Sequence, residues 1–276
     1  METASFQVRR NGLTLDGESL GDGPPIVLLH GLSATRRNVV QGSRHLAKRG
    51  YRLISYDARG HGASSPATPY EYRELVSDLE AVLEHLEVER PALAGSSMGA
   101  ATAMAFALEH PRRVAALVLI TPAYSGRPRD DDRWDQLASE LEGGGVEAFV
   151  EEALPSGIPE RWQDVAREAI RQRMERHEHL EAVAQALRQV PRSTAWEGLD
   201  RLGELDMPVL IVASRDEIDP THPLAVAQDY ERRLPGAELI VEEEGKSPLA
   251  WQGARLSGAI GDFLERTRYL PARNQR

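Results

Sequence analysis

The chain has 276 residues, 41% hydrophobic and 28% charged, an ordinary composition for a globular protein of one large domain or two small ones. Its formal net charge of −10 repels nucleic acid and anionic membrane surfaces, so neither is expected as a partner. Cysteine is absent, which removes disulfides, thiolate metal sites and a cysteine nucleophile, and fits a reducing compartment.

The N-terminal METASFQVRRNGLTLDG lacks the apolar core of a secretory leader. The longest apolar runs, VAALVLI (114–120) and PVLIVA (208–213), fall far short of the ~20 residues of a membrane helix and match buried strands instead. A soluble, cytoplasmic protein is expected.

In chain order, alternating stretches at Phe6–Arg9 and Leu13–Leu20 flank Asn11-Gly12 and predict a hairpin. Four short apolar runs follow at 25–30, 51–57, 91–95 and 114–120. Helical spacing lies between them, as in 74–86, where Leu75, Leu79, Val82, Leu83 and Leu86 share a face. Apolar strands alternating with helices predict an α/β fold with a mostly parallel sheet covered on both faces. The alternation stops near Pro122 and resumes at 207–214 and 237–243, before a last helix at 254–267. The predicted organisation is a core of 1–121 and 206–276, interrupted by a helical insertion, 122–205. Ligands bind at the C-terminal edge of such sheets, so the insertion is expected to lie there as a lid.

The chemistry concentrates in PALAGSSMGAATAMAFALEHP. Gly95-Ser96-Ser97-Met98-Gly99 fits G-x-S-x-G, with a strand before it and a small-residue helix after it. A sharp strand-to-helix turn strains the backbone at Ser97, and the flanking glycines let strand and helix approach closely. The turn exposes the Ser97 hydroxyl beside the free N–H groups of a helix N-terminus. A capping serine in a glycine-rich turn is the bland alternative; the strand–turn–helix context favours a nucleophile. Ser96 competes, but only Ser97 sits at the apex.

Together with these residues, LLHGLSAT (28–35) and SYDARGHGASS (55–65) make the chain resemble the α/β-hydrolase superfamily, of serine esterase and lipase type, over nearly its full length. The resemblance implies an α/β-hydrolase fold, with an N-terminal antiparallel hairpin and a helical cap at 122–205. It also implies an oxyanion hole from the backbone N–H groups of Leu32 and Met98, worth ~3–4 kcal/mol each in a transition state. His30, His61, Asp57 and Arg59 belong to the two loops and are expected to fix them rather than to react. Family triads run in the order serine, acid, histidine. Asp216 in SRDEIDP (214–220) takes the place of the acid, with Glu217 and Asp219 as neighbouring candidates.

The histidine turn should follow the next strand, and in EEEGKSPLAW its occupant is Lys246. No histidine follows His222. Histidine suits proton transfer both to and from the serine because its ordinary pKa lies near 6.5. A lysine near 10.4 is neutral at pH 7 in only about one molecule in 2,500, a deficit of ~4.6 kcal/mol. A carboxylate beside it favours the charged form further.

Four readings follow from this position: Ser-Lys chemistry through a desolvated Lys246; rescue by His222, six residues beyond Asp216 and at the same sheet edge; a silent scaffold that binds a hydrophobic or ester-like small molecule; or an altered form whose ordinary base was replaced. The function expected is hydrolysis of a carboxylic ester with a small or medium apolar acyl group. Ser97 would be the nucleophile and Asp216 would orient the base position at Lys246. The alternative is the silent binder.

Other features carry less. His177 and His179, two apart, fall on different faces of the expected helix and read as a solvated surface rather than a metal site. RDDD (129–132) is a charge run at the lid entrance. Gly143–Gly145 reads as a loop, with no strand before it and no lysine after it to cradle phosphate. No metal and no organic cofactor is implied.

Overall fold

A computed structural model describes residues 2–155, 158–215, 221–244, 251 and 253–270. Its elements in chain order are β1 (Thr3–Arg10), β2 (Leu13–Leu20), β3 (Pro25–Leu29), α1 (His45–Lys48), β4 (Arg52–Tyr56), α2 (Tyr72–His85), β5 (Ala92–Ser96) and α3 (Met98–Glu109). Then come β6 (Ala116–Ile120), α4 (Asp132–Ala153), α5 (Glu160–Met174), α6 (Leu180–Gln189), β7 (Val209–Ala213), α7 (Leu224–Arg233), β8 (Glu238–Val241) and α8 (Gly253–Arg266). The eight strands form one sheet in the order β1-β2-β4-β3-β5-β6-β7-β8. Pairing is antiparallel at β1/β2 and β2/β4 and parallel elsewhere.

The patterning explains the layers. β6 and β7 are buried along their whole length, as strands covered on both faces must be. Leu75, Leu79, Val82 and Leu83 of α2 are buried, while Glu74, Glu80 and Glu84 on the other face are not. One apolar cluster fills the sheet face under α2, α3 and α7; a second, with Leu46, Leu256, Ile260 and Phe263, fills the face under α1 and α8. α3 is buried all round from Met98 to Leu108, and its alanines let it pack against neighbours on every side.

Between β6 and β7 the chain is helical. A third apolar cluster there joins Leu137, Leu141, Phe149 and Val150 of α4 to Ile170 and Met174 of α5 and to Val183 and Leu187 of α6. Each such buried leucine or valine is worth ~1.5–3 kcal/mol relative to exposure. Two expectations are corrected in this segment. The loop expected at Gly143–Gly145 is shorter than that: Gly143 and Gly144 stay in α4, and only Gly145 (φ 70°, ψ −156°) breaks it into two helical segments, the second carrying Phe149 and Val150. The helix expected through His177 instead stops at Met174, and His177 is buried in the turn before α6. Among the described residues no helix is long and apolar enough to cross a membrane.

Candidate active site

Ser97 stands between β5 and α3 with φ 51° and ψ −110°, a conformation that ordinarily costs a side-chain-bearing residue ~1–3 kcal/mol. Close packing holds it there. A Cβ on Gly99 would collide with the Leu29 carbonyl, and one on Gly95 with the carbonyl of Gly99, so both flanking glycines are required sterically. The Ser97 N–H donates to the Ile120 carbonyl (3.0 Å), and the Ser97 carbonyl accepts from Ala101 N–H (3.0 Å) as α3 begins. Met98, buried, is the first residue of that helix, where backbone N–H groups lack intrahelical partners.

The turn after β3 abuts this apex. Ala34 N–H closes it onto the Gly31 carbonyl (3.1 Å), with Leu32 and Ser33 at its centre and Ser33 at φ 57°. A Cβ built on Gly31 would stand 3.4 Å from Ser97 Cβ. Leu32 and Ser97 line the same cavity, about 960 Å³ in volume. Trp134, Leu137, Phe149, Val165 and Ile170 from α4 and α5 supply much of its apolar wall; Arg133, Arg173 and Arg176 add charge.

His222, in the segment between β7 and α7, has Nε2 2.8 Å from Ser97 Oγ. Its Nδ1 lies 3.1 Å from Thr221 Oγ1, and the Thr221 carbonyl accepts from the Arg129 guanidinium (3.3 Å). Of the two candidates for the base, His222 is therefore at hydrogen-bonding distance from the serine. Asp216, Glu217, Asp219 and Lys246 lie outside the described residues. Nearby, Glu242 is buried at the end of β8 and accepts from the Arg215 N–H (2.7 Å).

The loops expected to be structural are tied accordingly. Asp57 accepts from the Arg36 N–H (2.7 Å) and the Ala63 N–H (3.1 Å) and pairs with the Arg36 guanidinium, joining the β3 and β4 loops. Arg59 donates to both oxygens of Asp78 (2.7 and 2.8 Å) from a site 4% exposed. His30 accepts from Ala58 N–H on Nε2 (2.9 Å), and its Nδ1–H reaches the Gly31 carbonyl (2.8 Å). His61 donates Nδ1–H to the Arg59 carbonyl (2.9 Å). His177 completes a row of three imidazoles, with ring centroids 5.2 Å apart (His30–His61) and 5.6 Å apart (His61–His177). Sequence periodicity placed His177 on a solvated helix face; no local pattern reveals a partner 115 residues away.

Burial is the main cause holding all three imidazoles neutral, with His30 lowered to about 4 and His61 and His177 to about 3. In the unfolded chain they titrate near 6.5. The unfolded state therefore takes up protons first as pH falls below 6.5, and stability drops down to about pH 3–4. His30 alone is worth roughly 3 kcal/mol over that window. The thermal midpoint is expected to fall from pH 7 to pH 4.5, and less steeply in His61→Asn, which keeps a donor near the Arg59 carbonyl without titrating. Parallel slopes for the two proteins would contradict this.

Comparisons with known proteins give the family and the fold. The sequence profile of the alpha/beta hydrolase fold family matches residues 24–254. The chain is 27% identical over 256 residues to a 2-hydroxy-6-oxononadienedioate/2-hydroxy-6-oxononatrienedioate hydrolase from Cupriavidus pinatubonensis, covering 87% of this chain and 86% of that protein. Its fold is similar to that of a thermophilic esterase from Thermogutta terrifontis (TM-score 0.78, 24% identity, 96% of this chain and 99% of the other). It is also similar to Est816, described as an N-acyl homoserine lactone degrading enzyme (TM-score 0.71, 26% identity, 95% and 99%). Eight strands in this order, a strained serine between β5 and α3, and a matched family profile together make the chain a member of the α/β-hydrolase fold family.

Proposed function

We propose that the protein is a serine hydrolase of carboxylic esters with a small or medium apolar acyl group, and that His222 rather than Lys246 is its base. The 2.8 Å contact between His222 Nε2 and Ser97 Oγ carries this reading. In the tautomer that donates Nδ1–H to Thr221 Oγ1, the Nε2 lone pair faces the serine hydroxyl. His222 takes the hydroxyl proton as Oγ bonds to the acyl carbon. Leu32 and Met98 N–H receive the oxyanion, and His222 returns the proton to the departing alkoxide. Water, deprotonated by His222, then releases the acid and restores Ser97. Asp216, which the family's chain order gives as the acid, would stabilise the imidazolium.

The apolar wall that Trp134, Leu137, Phe149 and Ile170 give the cavity supports the acyl preference, and the 122–205 segment serves as its cap. The likeness to a lactone-degrading enzyme supports the ester class, since a lactone is a cyclic ester. The test is an assay of p-nitrophenyl acetate, butyrate and octanoate with the native protein and with Ser97→Ala. Turnover above the Ser97→Ala background is expected, higher for butyrate than for acetate. Equal rates for both proteins on every ester would refute the reading and leave a binding protein on a hydrolase scaffold.

A further inference from the structure

We propose that His177, in the cap, is a positioning residue for the oxyanion turn: its imidazole latches the Leu32–Ser33 turn so that Leu32 N–H is held toward Ser97. The proposal deepens the serine-hydrolase reading and rests on it.

Three hydrogen bonds define the latch. His177 Nδ1 accepts from Gly62 N–H at 2.8 Å, and Glu178 N–H donates to the Gly62 carbonyl at 3.0 Å. On the far side of the ring, Nε2–H donates to the Ser33 carbonyl at 3.3 Å. The turn between α5 and α6 thus grips the β3 and β4 loops at once. Gly62 is suited to this: it has φ 51°, and a Cβ there would overlap the Asp57 carboxylate. Asp57 ties the same two loops to each other through Arg36 and Ala63.

The held carbonyl is that of Ser33, a non-glycine residue in the left-handed region, at the centre of a turn only four residues long. Rotation of its peptide shifts the turn that carries Leu32 N–H. Leu32 also packs against both the core cluster and the cap cluster, so its backbone and side chain both depend on where the cap sits. The ring must be neutral to accept from Gly62, because a cation has no lone pair on Nδ1. The groups facing it agree with that state: His61 and Arg173 oppose a second proton and Asp57 favours one, while burial outweighs them all. These nitrogens are committed to backbone partners, and among the described residues no His/Cys/Asp/Glu group could hold a metal ion.

A purely structural histidine would affect stability alone. A latch on the oxyanion turn affects the chemical step, where loss of one oxyanion donor costs about 10²–10³ in kcat and misplacement costs less. His177→Ala is therefore expected to lower kcat for p-nitrophenyl butyrate by about 10–100-fold, with KM changed by less than about threefold. The amides of Gln and Asn stand in for Nε2 and Nδ1 respectively. His177→Gln, which can still reach Ser33, should recover most of kcat; His177→Asn, which reaches only Gly62, should not. Faster hydrogen exchange across residues 31–36 in His177→Ala, restored by Gln, reads the same coupling without turnover. Unchanged kcat in His177→Ala, equal recovery by Asn and Gln, or unchanged exchange would overturn the latch. If the native protein shows no Ser97-dependent turnover, the ester reading fails, and the exchange result alone decides whether the cap holds this turn.

Discussion

Replacing His222 with alanine is expected to lower kcat on p-nitrophenyl butyrate by about 10⁴-fold or more, as deep a loss as Ser97→Ala, with the double variant no worse than either. The reason is chemical interdependence. A serine hydroxyl without an acceptor for its proton is a poor nucleophile, and an imidazole without the serine has nothing to activate, so the two losses overlap instead of adding. His222 Nε2 is already 2.8 Å from Ser97 Oγ, inside the range a general base needs. Lys246→Ala is expected to cost less than about tenfold, because a lysine of ordinary pKa carries a ~4.6 kcal/mol penalty for the neutral form at pH 7. Stopped-flow or plate assays of the four variants at pH 7.5 decide the matter. A mild effect at His222 beside a severe one at Lys246 would move the base to the lysine.

The second large effect is one of stability. Asp78→Ala is expected to lower the unfolding free energy by about 3–5 kcal/mol in urea or guanidinium titration. Arg59 is 4% exposed and Asp78 1% exposed, and the two make a bidentate pair. Glu74 (3.1 Å) and the carbonyls of Pro69 (2.8 Å) and Ala67 (3.5 Å) face the remaining guanidinium donors. Removing the aspartate leaves two donors of a buried cation without their carboxylate, which costs far more than losing an exposed ion pair. The pair fastens the loop of Arg59, His61 and Gly62 to α2, so the same variant should loosen the footing of the cap turn. A loss below about 1 kcal/mol would show that water reaches Arg59 and replaces the carboxylate.

What could be read from the sequence follows the range of the physics involved. The strands and the nucleophile turn were legible because their causes are local: continuous apolar runs, and a serine between glycines that strand–helix packing demands. Ser97, Met98 and Leu32 follow from that turn and the resemblance it carries. The proposed base was legible only as a choice between Lys246 and His222. Chain order points to the lysine, whereas the 2.8 Å contact with Ser97 Oγ favours the histidine. At Gly143–Gly145 glycine propensity breaks the helix only at Gly145, because burial of Leu137, Leu141, Phe149 and Val150 against α5 and α6 holds the helical segments on either side. His177 was misplaced for a similar reason. Its bonding partners, Gly62 and Ser33, lie 115 and 144 residues away, and periodicity carries no trace of contacts so distant in the chain.

If Ser97 is a nucleophile activated by His222, a serine-directed phosphonate reads that activation at the reacting atom itself. The native protein is treated with a fluorophosphonate at pH 7.5, followed by intact-mass and peptide-mapping mass spectrometry. One adduct per chain is expected on Ser97, absent from Ser97→Ala and formed far more slowly in His222→Ala. No adduct, or an adduct on Ser96 or another residue, would contradict it.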